Sequence, residues 1–221
     1  MKQIRTLGMA LVAVLALSAV VASGAFAAAP EFVPNTKQSF TTSGKTATLR
    51  AASFPETVIT CTASTGTGEI TGATGAKKVG GVSVTFTGCN ATSGGGCEVH
   101  SKGGGKEEIT TSTLEGELGK VAKSEATSEV GLELKAGSGS FVTVEGSCIP
   151  FGKSEITGTV TGEVNPIKES GTSGTLTYAA SGTSQKIKKF NGKATGLEAF
   201  IVPASQETNE NISFSSAVEV N

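Results

Sequence analysis

Apolar residues return at every second position in this chain, and stretches with a helical period hardly occur. Val82-Ser83-Val84-Thr85-Phe86-Thr87, Leu132-Glu133-Leu134-Lys135, Leu176-Thr177-Tyr178 and Ile212-Ser213-Phe214-Ser215 each alternate an apolar side chain with a polar one. That period describes strands with one buried and one wet face. Gly-rich punctuation separates the runs, at Gly66 to Gly75, Gly94 to Gly96, Gly103 to Gly105, Gly137 to Gly139 and Gly171 to Gly174. Closely spaced strands with turn signals between them predict an all-β fold, a single-domain antiparallel β-sandwich or barrel. Only Lys120 to Glu129 (KVAKSEATSE) reads as a helical turn or two.

The first residues stand apart from this pattern. Lys2 and Arg5 form a basic start, Leu7 to Val21 is an almost unbroken apolar run, and Ala25-Phe26-Ala27 fits a small-x-small cleavage pattern. These features predict a signal peptide over 1–27, cut between Ala27 and Ala28, rather than a membrane anchor. The C-terminal residues Ser213 to Asn221 offer no apolar tail, so no anchor is expected after cleavage. Residues 28–44 read as a polar lead-in ending in one short strand, and 45–221 as the secreted β domain. Cleavage removes two positive charges from a formal net charge of −1, which leaves −3.

Composition excludes several function classes. Gly, Ser and Thr make up 84 of the 221 residues, all 19 acidic residues are Glu, and His and Tyr occur once each, as His100 and Tyr178. Without Asp there is no aspartic dyad, Ser-His-Asp triad or Asp-rich calcium loop, and one His builds no multi-histidine metal centre. Two arginines in a near-neutral chain make no basic face for nucleic acid. Trp is absent, which argues against sugar binding by aromatic stacking. The Phe residues are expected in the core.

The remaining chemical candidates are few. Glu98 and His100, two apart on a strand, would share a face, but Ser101 would point away and no nucleophile joins them. Cys89, Cys97 and His100 resemble three zinc ligands, yet an even cysteine count in an exported chain favours disulfides. Gly44-Lys45-Thr46, Gly152-Lys153-Ser154 and Gly103-Gly104-Gly105-Lys106 lack the spacing or following residue of a phosphate loop. No metal and no cofactor is expected. Asn90-Ala91-Thr92 and Asn211-Ile212-Ser213 match the N-glycosylation acceptor, which places both asparagines on the surface. Thr-x-Thr pairs recur (Thr60/Thr62, Thr65/Thr67, Thr85/Thr87, Thr111/Thr113, Thr157/Thr159/Thr161, Thr175/Thr177), as solvent-facing strand positions favour Thr. Their uneven spacing argues against a regular lattice.

Ile59-Thr60-Cys61, Thr85-Phe86-Thr87-Gly88-Cys89, Cys97-Glu98-Val99-His100-Ser101, Leu114 to Gly119, Val130 to Leu134 and Gly162 to Pro166 follow one another in an order. That order resembles a large group of small secreted β-rich proteins of high-GC soil bacteria, with no known activity. The resemblance covers about Val58 to Tyr178; it implies secretion and a β fold and carries no catalytic residue over.

Four cysteines allow three pairings. Cys89 and Cys97 flank the flexible Asn90 to Gly96 loop, which favours bonding them to each other and leaves Cys61 for Cys148. On that pairing the longer Cys61–Cys148 loop contributes more stability, and Cys148→Ala destabilises more than Cys97→Ala. The function expected is a non-catalytic structural or adhesive protein of the cell envelope or extracellular matrix, secreted or wall-associated, with a wall or matrix polymer as partner. The alternative is a binding module for a small apolar or lipid-like ligand inside a barrel; a hydrolase comes third.

Overall fold

The computed structural model describes residues 29–53, 56–72, 77–92, 96–122, 128–149 and 152–221. The expected signal peptide and its cut between Ala27 and Ala28 lie outside them.

The chain begins with β1 (Phe32–Val33), β2 (Gln38–Gly44), β3 (Ala47–Ala51), β4 (Thr57–Cys61), β5 (Ala63–Ile70), β6 (Lys78–Thr87) and β7 (Asn90–Ala91). It continues with β8 (Cys97–Glu98), β9 (His100–Ser101), β10 (Glu108–Thr110), β11 (Leu114–Ala122), β12 (Ser128–Ala136), β13 (Val142–Glu145) and β14 (Lys153–Asn165). It ends with β15 (Gly171–Tyr178), β16 (Ala180–Ser181), β17 (Ser184–Gln185), β18 (Lys189–Phe190), β19 (Lys193–Ala194), β20 (Leu197–Ala199) and β21 (Val202–Val220). Every pairing is antiparallel, and the described residues contain no α-helix.

Hydrogen-bonded neighbours run β2–β5–β6–β11–β12–β14–β15–β21 and return to β2. This closes a ring of eight strands, so between sandwich and barrel the pairing is that of a barrel. Two strands outlast the ring. The 13-residue β14 and the 19-residue β21 continue into a second set of pairings, with β13 and β20 on β14 and with β20 and β3 on β21. From β3 this set passes through β4 and β7 to β8, and from β13 it reaches β9. Only Val99 separates β8 from β9 in the chain. One continuous apolar cluster fills both sets, from Phe32 and Leu176 to Val144 and Leu197, which makes a single domain.

Inside the first ring, large side chains lie over glycines. A Cβ on Gly68 would come within 2.5 Å of the Phe40 ring, and one on Gly162 within 2.7 Å of Leu176. Alternating small and large residues is how an eight-stranded barrel fills its own interior. Phe40 also meets Phe214 edge-on, with ring centroids 6.3 Å apart. Phe32, Phe40, Phe141 and Phe190 are buried, and Phe86, Phe200 and Phe214 pack against the core from partly buried positions. Val121, Ile187 and Phe190 form a separate small cluster.

Three sequence expectations need correction. The β domain begins before residue 45, because the short strand expected at the end of 28–44 is β2, which lies within the barrel wall between β5 and β21. Lys120 to Ala122 end β11, and Ser128 and Glu129 begin β12; cross-strand pairing overrides the helical propensity of Lys, Ala and Glu. The disulfides are Cys61–Cys89 and Cys97–Cys148, not Cys89–Cys97 and Cys61–Cys148. Ala63 of β5 stands opposite Thr87 of β6, and Thr62 N–H donates to Thr87 O at 2.9 Å, so the strand pairing carries Cys61 to Cys89. Cys97 and Cys148 then meet where β8 passes the turn after β13; Cys148 N–H points to Cys97 Sγ at 3.1 Å.

Candidate functional site

The acid–base candidates do not assemble. His100 stands opposite Glu145 of β13, with Nε2 3.9 Å from its Oε2, while Glu98 pairs with Lys106 at 3.8 Å. The Ser101 hydroxyl is buried and accepts from Thr110 N–H at 3.1 Å. Cys97 is spent in a disulfide. No group able to attack a substrate therefore stands beside His100 among these neighbours. Among the described residues, no cluster of three or more His, Cys, Asp or Glu side chains could hold a metal ion.

The Thr-x-Thr pairs become something more regular in three dimensions. Asn165, Thr175, Asn211, Ser43, Thr65, Thr85 and Thr110 occupy one cross-strand row over β14, β15, β21, β2, β5, β6 and β10. Two residues along the strands, Ser173, Ser213, Thr41, Thr67 and Ser83 form a second row. All of these side chains are exposed or half-exposed, and none carries a charge. The Thr85 and Thr110 hydroxyls bond each other at 2.9 Å, so these two side chains share a face. Strands lie about 4.8 Å apart, so the longer row runs about 29 Å around the outside of the barrel. Uneven spacing in sequence has become even spacing through register.

Not every Thr pair joins these rows. Thr159 and Thr161 bond Thr195, and Thr111 is buried with its hydroxyl accepting from Val84 N–H. At the β14–β15 end, the rows border an open groove of about 600 Å³ lined by Asn165, Glu169, Ser170, Thr175, Asn211 and Ser213 among others. Asn90 and Asn211 are both exposed, as their acceptor motifs imply.

The core holds two mostly apolar cavities of about 50 Å³ each, one inside the barrel and one among β3, β4, β13 and β20. One of them also touches a polar group that the sequence analysis passed over, Glu210. The pattern could have shown it, because Glu210 is in phase with the inward Ile212. Its side chain is buried; Oε1 accepts from Ser64 Oγ at 2.5 Å and from Thr208 Oγ1 at 3.4 Å. Gly44 lies between Ser64 and Glu210 in the same cross-strand row, and a Cβ there would collide with both side chains.

Tyr178 is buried beside this group. Desolvation pushes its phenol far above the ordinary tyrosine range, and the charge of Glu210 raises it further. A raised folded-state value means that the protonated phenol stabilises the fold fully below pH about 10 and loses that share as the pH climbs above it. The slope is at most about 1.4 kcal/mol per pH unit. Because Tyr178 is the one tyrosine of the chain, tyrosinate absorbance should stay silent on alkaline titration until the protein unfolds. Tyr178→Phe should flatten the alkaline loss of stability; an early, reversible tyrosinate signal in folded protein would contradict this placement.

Compared with protein-family models, curated proteins and solved structures, the chain matches none.

Proposed function

We propose that this is a non-catalytic, secreted structural or adhesive protein that holds a wall or matrix polymer through its uncharged hydroxyl-and-amide face. The registered rows from Asn165 to Thr110 and from Ser173 to Ser83 are the observation that carries the reading. A row of neutral donors and acceptors suits many weak hydrogen bonds to a hydroxyl-rich chain such as a polysaccharide, and the groove beside Asn211 gives it a place to sit. Individual hydrogen bonds contribute modestly, about 1 kcal/mol each, so such a face works by number.

Two disulfides accord with an oxidising, extracellular setting. No helix among the described residues is long and apolar enough to cross a membrane. The resemblance to secreted β-rich proteins of soil bacteria points the same way. Interior cavities of about 50 Å³ are far below the roughly 300 Å³ at which ligand pockets begin, which supports the polymer reading over an apolar ligand in the barrel.

Fractionation of a native culture tests the proposal. The protein is expected in the wall or matrix fraction; recovery wholly in the clear supernatant would count against it. A hydrolytic turnover abolished by His100→Ala would overturn its non-catalytic part.

A further inference from the structure

Glu210 has a second oxygen that the protein leaves unserved. Oε2 makes no hydrogen bond although it is buried, and the Thr42 hydroxyl is in the same condition. Both residues line the same interior cavity of about 50 Å³. Their places follow from register: Gly44 faces Glu210 and Thr42 faces Ile212, so Thr42 and Glu210 are diagonal neighbours across β2 and β21. Diagonal pairs lie within reach of a long side chain such as Glu.

Neighbouring glycines keep the space open. A Cβ on Gly66 would come 2.6 Å from Thr42 Oγ1, and one on Gly44 2.7 Å from Glu210 Oε1. Buried polar atoms in native proteins nearly always find a partner, in protein or in ordered water. A water needs about 10–15 Å³ of such volume and two to four polar partners, so this cavity has room for a few waters and for no organic ligand. A metal ion would want more oxygen ligands than Glu210 and Thr42 supply.

We propose that the barrel interior contains a built hydration site. Bound water donates to Glu210 Oε2 and exchanges a hydrogen bond with Thr42 Oγ1, and Gln206 and Tyr178 are further polar side chains that line the same cavity. The site has a consequence for the outer face. Ser64 of β5 and Glu210 of β21 bond across β2, and the water ties Thr42 of β2 to the same carboxyl group. The outward neighbours on these strands are Thr65, Ser43 and Asn211. A slip of one residue would turn each of them inward. Strands this rich in Gly and Thr have few bulky inward side chains to forbid the slip, and the hydrated clamp supplies the missing constraint.

Two measurements on the disulfide-bonded mature protein decide the matter. In the wild type, water–amide cross-relaxation at the β2 and β21 amides, or a high-resolution crystal structure, should show a long-lived water within hydrogen-bond distance of both Glu210 Oε2 and Thr42 Oγ1. An empty cavity, or Oε2 bonded to a protein donor, overturns the proposal without any variant. Thr42→Val, nearly equal in shape, should abolish that water signal while leaving the wild-type circular-dichroism spectrum. A water signal unchanged in Thr42→Val would show that Thr42 does not hold it and would overturn the bridge.

Discussion

Cys97→Ala and Cys148→Ala are expected to lower the unfolding free energy by the same amount, about 4 kcal/mol, and the double substitution by no more. Equality follows because the two cysteines share one bond, closing a separation of 51 residues. The bond sits where β8 and β9 bridge between β7 and β13, so its loss loosens the second set of pairings at its closure. Breaking Cys61–Cys89, with a separation of 28, should cost slightly less in the same chain-entropy treatment, about 3.5 kcal/mol. Denaturant unfolding followed by far-ultraviolet circular dichroism gives all four values. Unequal losses for Cys97→Ala and Cys148→Ala would contradict the pairing.

Among the described glycines, Gly158→Ala should be the most damaging alanine substitution, at about 3 kcal/mol or more. Gly158 stands opposite Leu197 as the last β14 residue that pairs with β20, and pairing with β12 begins at Thr159, so the strand passes here from one set of pairings to the other. Its φ of +98° is one that L side chains rarely adopt, and an added Cβ would strike the backbone oxygen of Gly196. Strain and collision therefore act together. Gly139 and Gly182 also have positive φ, but a Cβ there would meet nothing within 4 Å. Alanine at either should cost about 1 kcal/mol, from backbone strain alone. Thermal or denaturant midpoints for the three variants test this order.

Local patterns announced the strands but not their partners. Ile212-Ser213-Phe214 states its own inside and outside, and the structure agrees, with Ile212 buried and Ser213 exposed. Barrel closure depends on β2 meeting β21 across nearly the whole chain, and no local signal encodes that contact. The cysteine assignment failed for the same reason. A short Gly-rich loop sequence made Cys89–Cys97 look easy to close, whereas the β5–β6 register brings Cys61 to Cys89. Lys120 to Glu129 misled through residue type, since Lys, Ala and Glu favour helices wherever strand pairing does not decide.

The outer face shows the same limit. Thr65, Thr85 and Thr175 look irregularly placed along the sequence, and only registration across β5, β6, β2, β21 and β15 brings them into a row. Glu210 was visible in principle, one alternation step from Ile212. A run of Glu, Thr and Asn around it hid the inward phase.

Co-sedimentation of the protein with purified insoluble wall or matrix polymer, in low and in high salt, tests the proposed adhesive role of this face most directly. Hydrogen bonds between neutral groups are not screened as exposed charges are, so the wild type should sediment with the polymer at both salt concentrations. Thr67→Glu/Ser213→Glu places two charges on exposed strand positions two strands apart, where substitutions seldom change stability by more than about 0.5 kcal/mol. That variant should keep its fold and stay in the supernatant. A wild type that does not sediment, or a charged variant that sediments equally well, would contradict the account.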